Sequence, residues 1–282
     1  MRHLFSACCL LTLLVPAALA QELPAAPQPP AASKAEAKKD VPSAAPAPPS
    51  PELLALLDQI EAKAKTLRTM DSRIRLTRKQ GLLGDEQVRF GRFRYAAGVK
   101  AVPAPLPAPA VPAKVQIEFD RVVVDGKAEK VDIRYAFDGY WLLETNAKDH
   151  AATRREIRAK DDPKDALAIG GGPWPIPMSF EKAAILAQFD VQPGPAGPAE
   201  DKREAVRLIL TPKPGAKLEV DKMILTFEKG TWEPVGATSL RGDDATEVLL
   251  SKPAFNDELP KDTFSTRPPE GADWRVEEVP KR

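Results

Sequence analysis

From Met70 onward, apolar and polar residues alternate in stretch after stretch, and this period of two limits the possible folds more than any other feature of the chain. Met70, Ser72, Ile74 and Leu76 alternate with Asp71, Arg73, Arg75 and Thr77; a Gly-Leu-Leu-Gly-Asp-Glu turn follows, and Gln87 to Tyr95 alternates again, the pattern of a hairpin with one buried face. Val115, Ile117 and Phe119 share one face, as do Val131, Ile133, Tyr135 and Phe137, with Asp125-Gly126 marking the turn between the two segments. Further strands are expected at Tyr140 to Thr145, Thr153 to Arg158, Val206 to Thr211, Met223 to Phe227, Thr231 to Leu240 and Thr246 to Ser251. The expected fold class is mainly β (α+β), an antiparallel sheet of about 8–11 strands. A sheet of that size curls, closes or is capped, because an open face of alternating apolar residues cannot stay in water.

Two helical stretches are available as caps. Ser50-Pro51-Glu52 is a helix start, with Pro near the first helical position and an acid in the first turn. Leu53, Leu54, Leu57, Ile60, Ala64 and Leu67 then recur at three- and four-residue spacing, predicting one amphipathic helix from Glu52 to about Leu67. A second helical region interrupts the strands between Asp162 and Gln188; within it Ser179 to Gln188 sets Phe180, Ala183, Ala184 and Ala187 on one side. The expectation is an incomplete antiparallel barrel whose concave face the helices cover.

The chain divides by composition. Residues 1–20 pair a basic start at Arg2 with an apolar run from Leu4 to Val15 and small residues at Ala18 and Ala20, as in a cleaved secretory signal. Residues 21–51 are Pro/Ala-rich and bury too little to offset their ordering entropy, so they read as a disordered linker. Residues 52–280 form the folded body, interrupted at about 99–113 by a Pro/Ala insert that reads as a surface loop. Cys8 and Cys9 both lie in the signal, so the exported chain has no disulfide and depends on its core. Removing Arg2 with the signal takes the 41 basic residues to 40, against 40 acidic ones. That balance provides no bulk attraction for nucleic acid or an anionic membrane, and the chain is read as a periplasmic monomer.

Catalytic chemistry is largely missing. With no cysteine and one histidine, His150, in the mature chain, neither a zinc site of usual ligands nor a Cys-His or Ser-His-Asp arrangement can be assembled. Asp161-Asp162 precedes a proline and Asp243-Asp244 sits in a Gly-containing turn, both positions of backbone hydrogen bonding. The arginines of the first hairpin, among them Arg73, Arg75, Arg89, Arg92 and Arg94, read as a solvated outer face. No enzyme activity and no cofactor are expected. Gly170-Gly171-Gly172 is followed by Pro173, Pro175 and Pro177, which remove the alternate N–H donors that a phosphate loop needs. The segment reads as a hinge or an extended flap carrying Trp174 and Met178, or as a plug at the edge of the core.

The amphipathic helix, "TLRTMDSRIRLTRKQ", "VRFGRFRY", "AFDGYWLLET", "LILTPKPG" and a closing "NDELPKDTFSTRPPEGADW" together resemble the outer-membrane lipoprotein carrier (LolA-type) family from about Leu53 to Trp274. The most specific matches are Asp138-Gly139 with Trp141, Leu210-Thr211-Pro212-Lys213, and Asn256 through Phe264 to Pro269 and Gly271. The resemblance implies an incomplete barrel that shields lipid acyl chains or lipoproteins under a helical lid, with inner- and outer-membrane transport proteins as possible partners. Leu57, Ile60, Phe90, Trp174, Met178 and Phe180 are the candidate cavity and lid residues, with Gly170, Gly171 and Gly172 as the hinge. An envelope sensor or protein-interaction domain with the same fold is the alternative.

Overall fold

The computed structural model describes residues 48–82, 84–99, 111–159, 167, 169, 178, 180–199, 202–216 and 218–280. The expected signal, the linker apart from its last residues, and most of the glycine-proline segment lie outside them. Helix α1 (Pro51–Thr66) forms where expected. The Ser50 hydroxyl accepts from Leu53 N at 3.2 Å, Pro51 occupies the first turn, and Lys63 and Lys65 sit in the last, a set of caps that matches the helix dipole.

Strands follow in the order β1 (Thr69–Gln80), β2 (Asp85–Ala96), β3 (Lys114–Val124), β4 (Lys127–Phe137), β5 (Trp141–Asn146) and β6 (Ala151–Glu156). After them come α2 (Lys182–Gln188), β7 (Phe189–Pro193), β8 (Gly197–Pro198), β9 (Glu204–Pro212), β10 (Lys222–Glu228), β11 (Pro234–Arg241), β12 (Asp244–Phe255) and β13 (Arg275–Val279). All belong to one open sheet ordered β13-β6-β5-β4-β3-β2-β1-β12-β11-β10-β9-β7, with β8 paired to β9. The fold is mainly β, and the sheet does not close into a barrel. The thirteen strands among the described residues exceed the expected range because β7, β8 and β13 are too short or too polar to show alternation. At the β3–β4 turn Asp125 and Gly126 both take positive φ, 50° and 75°, the backbone of a two-residue hairpin loop.

Directly opposed residues share a face, so the pairing assigns both sides of the sheet. Leu208, Leu225, Ala237, Val248 and Leu76 follow one another across five strands. The same face continues through Ile74, Gly91 and Phe119. A Cβ at Gly91 would collide with the Glu118 carbonyl oxygen, which is why glycine stands where β2 and β3 shift register. This inner face carries two apolar clusters. In one, Leu53, Leu57 and Ile60 of α1 and Ile185 of α2 pack on β7, β9, β10 and β11. In the other, Leu67, Leu167 and Met178 cover β1 to β4 and β12.

The second helix corrects the expectation. It begins at Lys182, and it turns Ile185 and Leu186 inward while Ala183, Ala184 and Ala187 are exposed. Branched side chains removed more surface from water than the alanines could, so they set the rotation. At the Pro/Ala insert, Val99 and Val111 exchange backbone hydrogen bonds of 2.7 and 2.8 Å, and β2 pairs with β3 directly beyond them.

Candidate functional site

The cover over the inner face is held by polar joints at its margins. Lys182 Nζ lies 2.6 Å from Asp58 Oδ1, and Lys182 N donates to Glu61 Oε1 at 3.2 Å, joining α2 to α1. At the other end of α1, Lys63 pairs with Glu233 at 2.9 Å. Asn256, at φ 61°, accepts from Arg68 N at 2.7 Å and donates to Thr66 O at 3.2 Å, so it fixes the exit of the helix against the end of β12. Lys213 Nζ donates to Leu186 O at 2.6 Å and closes the last turn of α2.

Under the C-terminal end of α1, beside the Lys63–Glu233 pair, lies a narrow apolar crevice lined by Ile60, Leu67, Met178, Phe180, Phe227 and Phe255. It lies where the two clusters meet, since Ile60, Phe180 and Phe227 belong to one and Leu67, Met178 and Phe255 to the other. Phe180 and Phe227 pack edge to face at 5.7 Å. The cavity volume is about 30 Å³, a small fraction of that of ordinary ligand pockets. Trp232 also lines the crevice with φ 59°, a backbone strain uncommon for a bulky residue and frequent at ligand clamps.

Of the six residues singled out in the sequence, the structure brings Ile60, Met178 and Phe180 together in this crevice. Leu57 is fully buried in the same helix-covered cluster. Phe90 stands apart from them. It opposes Arg75 and Arg121 on the other face of the sheet, and the Arg121 guanidinium lies 4.2 Å from its ring centroid. Phe90 and the buried Phe93 are three residues apart on a strand that pairs with β1 in unbroken register, so alternation itself puts them on opposite faces. Trp174 and the expected hinge Gly170, Gly171 and Gly172 lie outside the described residues. Reading the sequence missed Phe227, Trp232 and Phe255 as lining residues; they come from β10, its following turn and β12, and only the strand pairing puts them beside Ile60.

No protein-family model and no curated protein matches the sequence. The chain is similar in fold to several solved structures. Mycobacterium tuberculosis lipoprotein LppX is 16% identical, with 75% of this chain and 99% of that chain covered and a TM-score of 0.40. A LolA superfamily protein from Nitrosomonas europaea is 11% identical, with coverage of 74% and 97% and a TM-score of 0.30. The Pseudomonas aeruginosa MucA/MucB complex is 13% identical, with coverage of 79% and 62% and a TM-score of 0.37.

Chemically, the crevice offers aliphatic and aromatic contact, with a single ion pair, Lys63 with Glu233, at its rim. Nothing in that set activates a nucleophile or positions an acid and a base. Such a lining suits an apolar chain.

Proposed function

We propose that the protein is a periplasmic carrier that takes up lipid or lipoprotein acyl chains between the helical cover and the inner face of its sheet. The observation that carries this reading is the seam itself. Two apolar clusters meet at Ile60, Met178 and Phe180 around a crevice whose cover packs on the sheet through Leu53, Leu57 and Ile185 and is tied at its edges by polar joints. Because about 30 Å³ is far below the several hundred Å³ of ordinary ligand pockets, the form described is closed. Loading then requires α1 and the segment carrying Met178 and Phe180 to lift, with Gly170, Gly171 and Gly172 as the hinge. Each methylene removed from water contributes about 0.8 kcal/mol, so a chain entering the seam needs no polar anchor.

Protein purified from its native envelope should release acyl chains on denaturing extraction, and the delipidated form should bind a fluorescent fatty acid. Ile60→Trp, which fills the crevice, should weaken that binding at least tenfold, about 1.4 kcal/mol. Absence of both bound chains and probe binding would overturn the proposal. The filled interior favours a second reading, an envelope sensor or interaction domain that binds a protein partner instead of lipid. On that reading a defined partner co-purifies from envelope extract and no lipid does.

A further inference from the structure

A cleft of about 760 Å³ opens on the face of the sheet opposite the helices. Its floor is a row of directly opposed residues on three adjacent strands, Leu249, Arg75 and Phe90, extended by Arg121 on β3. One wall is the β3–β4 hairpin with Arg121 and Lys130; the other is formed by Ala199, Arg203 and Val235, from the β8–β9 connection and the start of β11. Its size is that of a small-molecule site. Five cationic side chains line it, Arg73, Arg75, Arg121, Lys130 and Arg203, against two carboxylates, Asp120 and Glu129.

Two of the cations are committed within the protein. Arg203 reaches Glu228 at 3.2 Å and donates to Leu250 O at 3.1 Å, and Arg75 lies 3.9 Å from Glu247. Arg73, Arg121 and Lys130 form no ion pair among the described residues. Beside them are Phe90, Val235 and Leu249, and behind Val235 a small cluster with Ala199 and Ala205. Arginines with spare donors next to an aromatic ring and aliphatic side chains match a molecule with an anionic head and an apolar flank. In a chain whose acids and bases nearly balance overall, the local excess lies where a ligand would meet it.

We propose that this cleft binds an anionic amphiphile, its phosphate or carboxylate held by Arg73 and Arg121 and its apolar part lying on Phe90, Leu249 and Val235. The site lies on the other side of the sheet from the acyl-chain crevice, so it stands or falls independently of the carrier reading. The test is calorimetric titration of the delipidated mature chain with octyl phosphate in monomeric form, inorganic phosphate and octyl glucoside. Octyl phosphate should bind at least tenfold more tightly than either control, and weaken as salt rises. Arg73→Gln combined with Arg121→Gln should cost tenfold or more in affinity with an unchanged thermal midpoint, since both side chains are exposed. Phe90→Ala should cost less than the double variant, and Ile60→Trp should have no effect. Equal affinity for inorganic phosphate or octyl glucoside, full affinity in the double variant, or loss of binding in Ile60→Trp would overturn the proposal.

Discussion

The two faces of this sheet are built from the same strands and differ in how completely they are covered. Ile74 and Leu76 point into the core, whereas Arg75 between them opens onto the cleft. The inner face, roofed by two helices and the chain around Leu167 and Met178, is filled by side chains such as Leu57, Phe93, Phe137 and Phe189, and its crevice holds about 30 Å³. The outer face is overlain near one margin by the C-terminal segment and near the other by the β8–β9 connection, and the interval between them holds about 760 Å³. In this molecule the apolar side is packed and the charged side is hollow. Apolarity therefore marks what the protein keeps dry, while open volume marks where a polar-headed ligand has room.

The largest test of that contrast is a pair of truncations. Leu57→Ala removes a fully buried side chain from close-packed surroundings and should destabilise by about 3 kcal/mol. Leu249→Ala, on the half-buried floor of the cleft, should cost about 1 kcal/mol or less. Denaturant unfolding of the two variants measures both. Similar small losses would mean that the inner face is loosely packed, which would break the comparison and favour an interior already able to take a guest.

Much of the inner face was legible in the sequence because burial leaves a period. Leu53, Leu57 and Ile60 fixed the buried side of α1, and Val115, Ile117 and Phe119 fixed that of β3. The Asp125-Gly126 turn was equally plain. What alternation could not supply was register. Phe90, an odd number of residues from the buried Phe93 and Tyr95, falls outside by alternation itself, whereas the arginines that looked merely solvated divide into three groups only once the strands are paired. Arg92 is committed to Asp71 at 2.6 and 2.8 Å, Arg73 faces the cleft, and Arg89, expected on the solvated face, opposes Leu76 on the inner face with its guanidinium 5.7 Å from the Phe119 ring. The motifs with the most specific resemblance prove to be joints. Asp138 accepts from Tyr140 N, Trp141 N and the Thr266 hydroxyl at 2.7–2.9 Å, Lys213 closes α2, and Asn256 fixes the end of α1. Their partners are distant in sequence, so the residue types were visible before their purpose.

The cover of the outer face can be tested at Arg134. Its Nη2 donates to Thr263 O at 2.9 Å and to the carbonyls of Asp262 and Ser265 at 3.4 Å, holding the C-terminal segment against β4. Arg134→Met keeps the aliphatic stem and removes the donors, so the loss should be about 1–3 kcal/mol. Limited proteolysis should cut sooner between Asp257 and Pro269. An unchanged cleavage rate would show that the segment is held by packing and not by these hydrogen bonds.

A smaller effect is expected at Tyr135, which opposes Ile117 on the inner face and donates to Glu144 Oε1 at 3.1 Å. Burial, followed by the charge of Glu144, raises the phenol pKa above its ordinary value. The folded state therefore holds this proton more tightly than the unfolded chain. The associated stability is complete below about pH 10 and disappears as pH rises through the folded value. Tyr135→Phe should cost about 1 kcal/mol or less at neutral pH and should lose less stability than the parent between neutral and strongly alkaline pH. Parallel alkaline stability curves would show that the phenol is no drier than in the unfolded chain.

The smallest effect belongs to the edge strand β13, where the contrast between faces no longer applies because every residue is exposed. His150 Nδ1 lies 2.7 Å from Asp273 Oδ2, and its ring stacks on Trp274 at 5.6 Å. Both polar side chains are more than half exposed, at 51% and 62%, so solvent screens the pair and His150→Ala should change global stability by less than about 0.5 kcal/mol. The backbone bond from Arg275 N to His150 O, 2.8 Å long, survives the substitution. Hydrogen exchange should nevertheless accelerate at Arg275 to Val279 and nowhere else, since local opening of an edge is governed by its few anchors. Faster exchange spreading to β5 and β6 would mean that β13 supports the interior instead of only shielding the edge, and the division between a packed inner face and an open outer one would then depend on the chain terminus as well.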